Sequence, residues 1–471
     1  MSYNPNSLKS EEFISDQEIL DTIEYAENNR TNKALVMELI SRARDYRGLS
    51  HREAALLLVS EFPEAEAAIR GLACEIKQKI YGNRIVMFAP LYLSNYCING
   101  CTYCPYHGQN KNILRKKLTQ DEIRREVIAL QDMGHKRLAL ETGEDPIMNP
   151  IEYVLESIET IYGIHHKNGS IRRVNVNIAG TTVENYTKLR DAGIGTYILF
   201  QETYHKKNYE LLHPTGPKHD YAWHTEAMDR AMDGGIDDVG VGVLFGLENY
   251  LYDFIGLLMH AEHLETAKGV GPHTISVPRI CPADDINTTD FPDAVPDKIF
   301  EKIVAVLRIA VPYTGMIMST RESRESRERA LLLGISQLSG GSRTTVGGYE
   351  GAEPENTAQF DISDTRTLDE VVRWLLELGH VPSFCTACYR EGRTGDRFMS
   401  LAKSGQIPNC CQPNALITLK EYLEDYASPE TRSLGDEVIY QELNRIASGK
   451  VKEITADYME KIVVGARDFR I

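Results

Sequence analysis

The sequence contains no apolar run close to the ~20 residues that a membrane-spanning helix requires. Its first residues, Met1 to Pro5, include neither a basic nor an apolar segment, so no secretory signal is indicated and we expect a cytoplasmic protein. Basic residues are also few, since 52 Lys and Arg stand against 68 Asp and Glu, for a net charge of -16. This acidity argues against binding to nucleic acid or to an anionic membrane.

Internal repeats of fixed period and low-complexity tracts are absent as well. Apolar residues make up 42% and charged residues 25% of the chain, which excludes a disordered or collagen-like protein. A length of 471 residues suggests about three domains, or one large barrel with additions at its ends. An acidic globular enzyme is therefore the default expectation.

Strand-like and helix-like segments alternate along the middle of the chain. Eight β-rich segments separated by amphipathic helices predict an α/β fold, a (βα)8 TIM-type barrel, over residues 85–380. An open sheet or a six-stranded barrel is the alternative. Residues 1–84 predict an N-terminal helical extension, with capping-box patterns at Ser15 and Ser50, and residues 381–471 predict a separate C-terminal module. The strands are expected at 87–95, 137–141, 173–179, 196–203, 238–245, 273–280, 315–320 and 334–338.

Three of the nine cysteines are grouped directly after the first predicted strand, in Cys97-Ile-Asn-Gly-Cys101-Thr-Tyr-Cys104. In a reducing compartment such spacing indicates metal ligands rather than disulfides. Three thiolates on one short loop can hold three irons of a cubane and leave the fourth iron open, whereas zinc usually has four protein ligands. A structural zinc loop is the alternative that the residues alone leave open.

This C-x-x-x-C-x-aromatic-C loop after the first strand of a barrel resembles that of the radical S-adenosylmethionine (SAM) superfamily. The resemblance implies a 4Fe-4S cluster on the three cysteines. Its open iron would bind SAM, and one electron would cleave SAM to a 5'-deoxyadenosyl radical. Tyr103 matches the aromatic position that lies near the adenine.

The same resemblance implies a SAM-binding element after the second strand. Thr142-Gly143-Glu144 matches the Gly-Gly-Glu pattern that holds the methionyl amino group, with Thr in place of the first Gly. Asn177 and Glu202 are the other SAM-binding residues that the family pattern implies.

A second cysteine set occupies the C-terminal module. Cys385-Thr-Ala-Cys388 is followed, after 22 residues, by Cys411, and Cys410 is its neighbour. A zinc ribbon using all four thiols is one interpretation. Adjacent cysteines rarely point at one tetrahedral metal, however, and zinc ribbons usually repeat the C-x-x-C.

The barrel motifs together with C-x-x-C-x22-C resemble the radical SAM tyrosine lyases that mature di-iron hydrogenase. The similarity extends through residues 200–204, 278–280, 319–322 and 341–344. It implies a second 4Fe-4S cluster on Cys385, Cys388 and Cys411, which would make the C-terminal module an iron-sulfur module. It also implies catalytic roles for Arg321 and Ser342. Arg321 follows the seventh strand, where its planar fork suits a tyrosine carboxylate.

His273 opens the sixth predicted strand, whereas Cys97 follows the first. The two residues should therefore lie at opposite barrel ends, roughly 20 Å or more apart for strands rising ~3.3 Å per residue. From the residues alone, His273 is expected to be a packing or hydrogen-bonding histidine. The resemblance implies instead that it binds a labile iron beside the second cluster, together with free cysteine.

The reaction implied by the resemblance is cleavage of the Cα–Cβ bond of L-tyrosine to p-cresol and dehydroglycine. The dehydroglycine would be converted to carbon monoxide and cyanide on iron for the hydrogenase active site. An electron donor such as flavodoxin or ferredoxin and other hydrogenase maturation proteins are the implied partners. The 2-iminoacetate synthase of thiazole biosynthesis is one alternative, since it shares the barrel motifs without the C-terminal cysteines. A non-catalytic iron-sulfur carrier or sensor is the alternative from a different class.

Three further features are assigned structural roles. His260 and His263 are expected to form a surface pair on the polar face of a helix. Cys74 and Cys281 are expected to be small buried hydrophobic residues. The Arg/Glu run 321–329 predicts a solvated helix face.

Overall fold

Eight parallel strands close into a barrel in the computed structural model, which describes residues 2–351 and 356–471. They are β1 (Arg84–Ser94), β2 (Arg137–Thr142), β3 (Arg173–Asn177), β4 (Tyr197–Glu202), β5 (Val239–Val243), β6 (Thr274–Ser276), β7 (Gly315–Met318) and β8 (Gln337–Ser339). Each strand pairs with the next, and β8 pairs with β1 through Val86 and Gln337. The predicted (βα)8 barrel is confirmed, and the open sheet and the six-stranded barrel are excluded.

Helices surround the barrel because each connection between parallel strands must cross back over the outside of the sheet. Capping boxes at Thr119 and Thr367 begin two of them. The helices between β1 and the end of the barrel region are Gln120–Asp132, Ile151–Tyr162, Val183–Asp191, Lys206–Leu212, Tyr221–Thr225, Ala227–Asp233, Tyr250–Lys268, Asp297–Ala310, Arg324–Leu333 and Leu368–Glu377. Short 3-10 turns lie at Pro217–His219 and Thr288–Asp290, and a small hairpin pairs His165–His166 with Gly169–Ser170.

The N-terminal region is helical, as predicted. Its helices are Ser10–Phe13, Asp16–Asn29, Lys33–Arg42, His51–Val59 and Pro63–Ile80, with a 3-10 turn at Ala43–Asp45. The last two pack on outer helices of the barrel, which buries their apolar faces. Ser50 forms a complete capping box with Glu53, and at the first pattern the Ser15 side chain accepts a hydrogen bond from the Glu18 amide.

A ninth strand, β9 (Val381–Ser383), joins the C-terminal region to the barrel by pairing with β1. The sequence did not indicate this strand. Within the same region the buried carboxylate of Glu421 lies 2.8 Å from Arg172 and 3.3 Å from Lys136, both of which belong to the barrel. The helices that follow β9 are Ala387–Arg390, Gly395–Lys403, Pro408–Asp425, Pro429–Arg445 and Gly449–Val463. The division into residues 1–84, 85–380 and 381–471 stays a prediction, and the ion pairs fix the last part to the barrel.

The expectation for the two histidines was wrong, and the expectation for the Arg/Glu run holds only in part. His260 and His263 are both buried within the helix Tyr250–Lys268, where His263 contacts Asp229 at 3.0 Å. Within the Arg/Glu run Arg324 and Glu325 are exposed, as predicted, whereas Arg327 is fully buried and pairs with Asp364. Among the residues that the structure describes, no helix is long and apolar enough to span a membrane.

Candidate active site and metal centres

The carboxyl ends of the strands surround an upper cavity. β2, β3 and β4 end at Thr142, Asn177 and Glu202, so three neighbouring strands deliver these side chains to one mouth of the barrel. Ser342 apart, every residue that the sequence assigned to SAM, to the first cluster or to tyrosine lines this cavity: Cys97, Cys101, Tyr103, Cys104, Thr142, Gly143, Glu144, Asn177, Glu202 and Arg321.

The cysteine loop lies directly against the end of β2. The Ile98 amide donates to the Glu144 carbonyl at 2.9 Å, and the Asn99 amide group donates to the Glu144 carboxylate at 2.6 Å. A Cβ atom at Gly143 would lie 2.3 Å from the Tyr96 carbonyl oxygen. Glycine is therefore required at position 143 by this close approach of two backbones.

All nine cysteines are free thiols. Burial raises the pKa of Cys97 and Cys101, and it raises the pKa of Cys104 to about 12. In the metal-free protein these thiols are therefore protonated. A bound cation would stabilise their thiolate forms, so metal loading would release protons. Three thiols that line one cavity, of which Cys101 is buried and Cys97 and Cys104 are partly buried, fit an iron-sulfur cluster.

Lys218 is a site residue that sequence reasoning missed. Its Nζ lies 2.7 Å from a carboxylate oxygen of Glu202 in the upper cavity. Burial alone would lower the pKa of Lys218, but the charge and the hydrogen bond of Glu202 oppose this effect, and the pKa is raised. Glu202 has a φ of 71°, a left-handed conformation that is unusual for a side chain of this kind and typical of functional sites. No local pattern marks Lys218, because the fold alone brings its loop to β4.

Tyr103 is held in place by a buried histidine. The Nδ1–H of His213 donates to the Tyr209 carbonyl at 2.7 Å, which leaves Nε2 to accept the Tyr103 hydroxyl at 2.7 Å. Burial lowers the pKa of His213 to about 2, so the ring is neutral and can accept this bond. The arrangement fixes the Tyr103 ring against the upper cavity.

A central cavity inside the barrel continues the upper one. Asn177 and Arg321 line both cavities. Arg321 stacks on the Phe360 ring at 3.6 Å, and its guanidinium donates to the Cys281 sulfur at 3.2 Å. Cys281 is only partly buried and lines the upper cavity, so the expectation of a core cysteine was wrong. Ser342 is buried and lines neither cavity, and its hydroxyl has no hydrogen-bond partner within residues 2–351 and 356–471.

A lower cavity lies at the amino ends of the strands, at the opposite mouth of the barrel. Cys385, Cys388, Cys411 and His273 all line it, and none of its residues lines the upper cavity. The arrangement brings together every residue that the sequence assigned to the second cluster and the labile iron. His273 precedes β6, as the sequence predicted, whereas Cys97 follows β1.

His273 is enclosed by the C-terminal region. Its Nε2 lies 3.1 Å from the Tyr389 hydroxyl, its Nδ1 lies 3.3 Å from Asp238, and its ring packs on Phe398. Burial lowers the pKa of His273. The imidazole is therefore neutral at physiological pH, which is the form that binds iron.

Cys410 and Cys411 differ in their position relative to the lower cavity. Cys411 lines the cavity and Cys410 does not. The Cys410 thiol lies 3.4 Å from the Ile407 carbonyl. Burial is the main cause that raises the pKa of Cys388 to about 12, and Cys385 and Cys410 contribute to the rise. Cys410 is therefore also near the Cys388 thiol. Cavity lining favours Cys411 as the third ligand.

Comparison with known proteins agrees with this geometry. Residues 91–278 match the Radical SAM superfamily, and residues 276–381 match the Biotin and Thiamin Synthesis associated domain. The chain is 30% identical over 344 residues to the 2-iminoacetate synthase of Salmonella typhimurium, covering 73% of this chain and 89% of that protein. A crystal structure of HydG, described as a maturase of the [FeFe]-hydrogenase, is 54% identical with a TM-score of 0.95, covering 98% of this chain and 100% of that one.

The chain belongs to the HydG family of radical SAM proteins. HydG from Carboxydothermus hydrogenoformans is 37% identical with a TM-score of 0.82, and the match covers 96% of this chain and 99% of that one. Membership implies a 4Fe-4S cluster and SAM, and the three thiols of the upper cavity fit both. The HydG structures match the chain nearly from end to end, whereas the 2-iminoacetate synthase match covers 73% of it.

Proposed function

We propose that this chain cleaves the Cα–Cβ bond of L-tyrosine to p-cresol and dehydroglycine, and converts dehydroglycine to carbon monoxide and cyanide on iron for the di-iron hydrogenase active site. The observation that carries the proposal is the presence of two cysteine sets lining separate cavities at the two mouths of one barrel. A radical SAM enzyme that used only the upper site would need neither His273 nor the second set.

Cys97, Cys101 and Cys104 would hold the 4Fe-4S cluster, which together with SAM would supply the radical chemistry that acts on the tyrosine amino group. The protein's contribution is to bind and orient SAM and tyrosine and to exclude water from the site. The strand-end residues Thr142 and Asn177 offer polar contacts to SAM, and the buried Tyr103 ring offers a surface for its adenine.

Arg321 is proposed to bind the tyrosine carboxylate. Its guanidinium lines both the upper and the central cavity, and stacking on Phe360 restricts its orientation. A planar guanidinium held in this way suits a bidentate carboxylate. Phe88 and Phe200 line the central cavity and provide apolar surface for the phenol ring. Ser342, the other residue with an implied catalytic role, lines neither of the two cavities.

At the lower cavity, Cys385, Cys388 and Cys411 are proposed to hold a second 4Fe-4S cluster. His273 and free cysteine would bind the labile iron that carries the products. The same proposal includes a flavodoxin or ferredoxin as electron donor, other hydrogenase maturation proteins as partners, and a cytoplasmic location.

The similarity to 2-iminoacetate synthase supports a second candidate, tyrosine cleavage without carbon monoxide formation. Anaerobically reconstituted protein should be assayed for iron and sulfide content, p-cresol and carbon monoxide. Two clusters, p-cresol and carbon monoxide together support the first proposal. One cluster and p-cresol without carbon monoxide would support the synthase. Two clusters without SAM cleavage would indicate an iron-sulfur carrier.

We expect Cys411→Ser to remove the spectroscopic signal of the second cluster and Cys410→Ser to retain it. The reason is that, of these two neighbours, Cys411 lines the lower cavity and Cys410 does not. The neighbouring positions make the two variants a matched pair. Electron paramagnetic resonance of the reduced protein measures the signal. Loss of the signal in Cys410→Ser alone would reverse the assignment.

We expect His273→Ala to retain both clusters and p-cresol formation, but to lose one iron per chain and most of the iron carbonyl product. The reason is that His273 contributes the only imidazole to the lower cavity, within the described part of the chain. Iron content and infrared carbonyl bands measure the effect. His166→Ala, in the outer hairpin, is the control. An unchanged iron content with normal carbonyl bands would return His273 to a packing role.

A further inference from the structure

Glu141 and its two strand neighbours, Tyr92 and Asn177, lie at the same height in the barrel and line its interior. Strand register places Tyr92 of β1 opposite Glu141 of β2, and Glu141 opposite Asn177 of β3. All three side chains line the central cavity, and Glu141 and Asn177 also line the upper one. The carboxyl group of Glu141 therefore stands at the junction of the two cavities.

The central cavity contains few charges. Among its lining residues in the described part of the chain, Glu141 is the only acidic side chain and Arg321 the only basic one. The rest of the wall combines aromatic and aliphatic side chains with uncharged polar ones. An ionisable carboxyl group, a guanidinium group and an apolar surface complement an aromatic amino acid, which carries an ammonium group, a carboxylate and a ring.

The other two carboxylates of the upper cavity already have partners. Glu202 is paired with Lys218, and Glu144 accepts a hydrogen bond from Asn99. Glu141 forms no ion pair within residues 2–351 and 356–471, although Asn177 and the charge of Arg321 both act on its carboxyl group. A ligand ammonium group would give this carboxylate a direct ion-pair partner.

We propose that Glu141 binds the α-ammonium group of the aromatic amino-acid substrate and accepts one proton from it. The inference rests on the proposed tyrosine cleavage and adds a catalytic residue to it. An N–H bond of the ammonium group breaks, its electron pair stays on nitrogen, and the proton moves to the carboxylate. The products are a neutral amine and a neutral carboxylic acid, so no oxidant or reductant is needed. The neutral amine is then the group from which a hydrogen atom is removed.

The surroundings of Glu141 suit proton transfer near neutral pH. Burial raises the pKa of Glu141 to about 8, although the Asn177 hydrogen bond and the Arg321 charge both lower it. A base with a pKa near the working pH is deprotonated in a useful fraction of molecules and still has enough driving force to accept a proton. The other titratable groups that face Glu141 are Tyr92 from β1 and Tyr106 from the loop after the cysteines. Burial raises the pKa of both tyrosines, so each is neutral.

The test compares two ligands on anaerobically reconstituted full-length protein with SAM. L-tyrosine and 3-(4-hydroxyphenyl)propanoate differ only in the amino group. We expect the wild type to bind tyrosine about 10-fold or more tightly than the propanoate, as a charged hydrogen bond predicts. Glu141→Gln should reduce this preference to about 2-fold or less, mainly because it weakens the binding of tyrosine. Titration calorimetry measures both ligands.

Glu126→Gln is the matched control, since Glu126 is a buried carboxylate on an outer helix that accepts two backbone amides. It should retain the wild-type preference. If Glu141→Gln does not fold, Glu141→Asp serves instead. Its shorter side chain should weaken the binding of tyrosine and leave the affinity for the propanoate unchanged. The pH dependence of p-cresol formation is a second readout. In the wild type kcat/KM should rise as Glu141 loses its proton, and Glu141→Gln should lack that rise.

The outcomes separate the inference from the proposed function. A wild-type protein that binds and cleaves tyrosine, with a Glu141→Gln variant that keeps both the ligand preference and the pH-dependent rise, would overturn the role of Glu141 alone. A wild-type protein that neither prefers nor cleaves tyrosine would overturn the proposed function, and the inference with it.

Discussion

Replacing Cys97, Cys101 or Cys104 by Ser is expected to reduce SAM cleavage to background. Each thiol lines the upper cavity beside the strand ends proposed to bind SAM, and each replacement removes one proposed ligand of the cluster that would deliver the electron. A serine hydroxyl has a much higher pKa than a thiol and is a poor ligand for iron. The measurement is 5'-deoxyadenosine formed under reducing, anaerobic conditions.

Cys74→Ser is the control for this prediction, because Cys74 lies in the N-terminal helix Pro63–Ile80 and lines neither cavity. It should form deoxyadenosine at the wild-type rate. Deoxyadenosine formation that persisted in any of the three loop variants would contradict the assignment of that cysteine to the cluster.

The positions of the cysteine loop, Asn177 and Glu202 could be predicted because they depend on one topological rule. In a parallel barrel every strand delivers its carboxyl end to the same mouth. Once the eight strands were located, the residues after each one had to meet. The same rule placed His273 at the other mouth, since it precedes its strand.

Other site residues could not be predicted, because their positions depend on contacts between distant parts of the chain. Lys218 reaches Glu202 from a loop without any motif. Tyr389 approaches His273 because β9 and the ion pairs of Glu421 attach the C-terminal region to the barrel. The sequence also does not distinguish a solvated charge from a buried one with a distant partner, and this explains why the burial of Arg327 against Asp364 was missed.

The double variant Cys385→Ser/Cys388→Ser is expected to retain tyrosine cleavage to p-cresol and to lose carbon monoxide formation. The two cavities share no lining residue, so the chemistry of the upper site does not require the lower thiols. Substitution tests this separation better than truncation after residue 378. Truncation would remove β9 and Glu421, and it would expose the barrel surface on which the C-terminal region packs, including Arg172 and Lys136.

The measurement is carbon monoxide trapped on added haemoglobin, compared with p-cresol from the same reaction. Cys74→Ser again provides a thiol-to-hydroxyl control outside both cavities. We expect the ratio of carbon monoxide to p-cresol to fall to background in the double variant and to stay at the wild-type value in the control. A normal ratio in the double variant would mean that dehydroglycine breaks down without the lower site. Loss of p-cresol as well would mean that the two sites are coupled, for example through the pairing of β9 with β1.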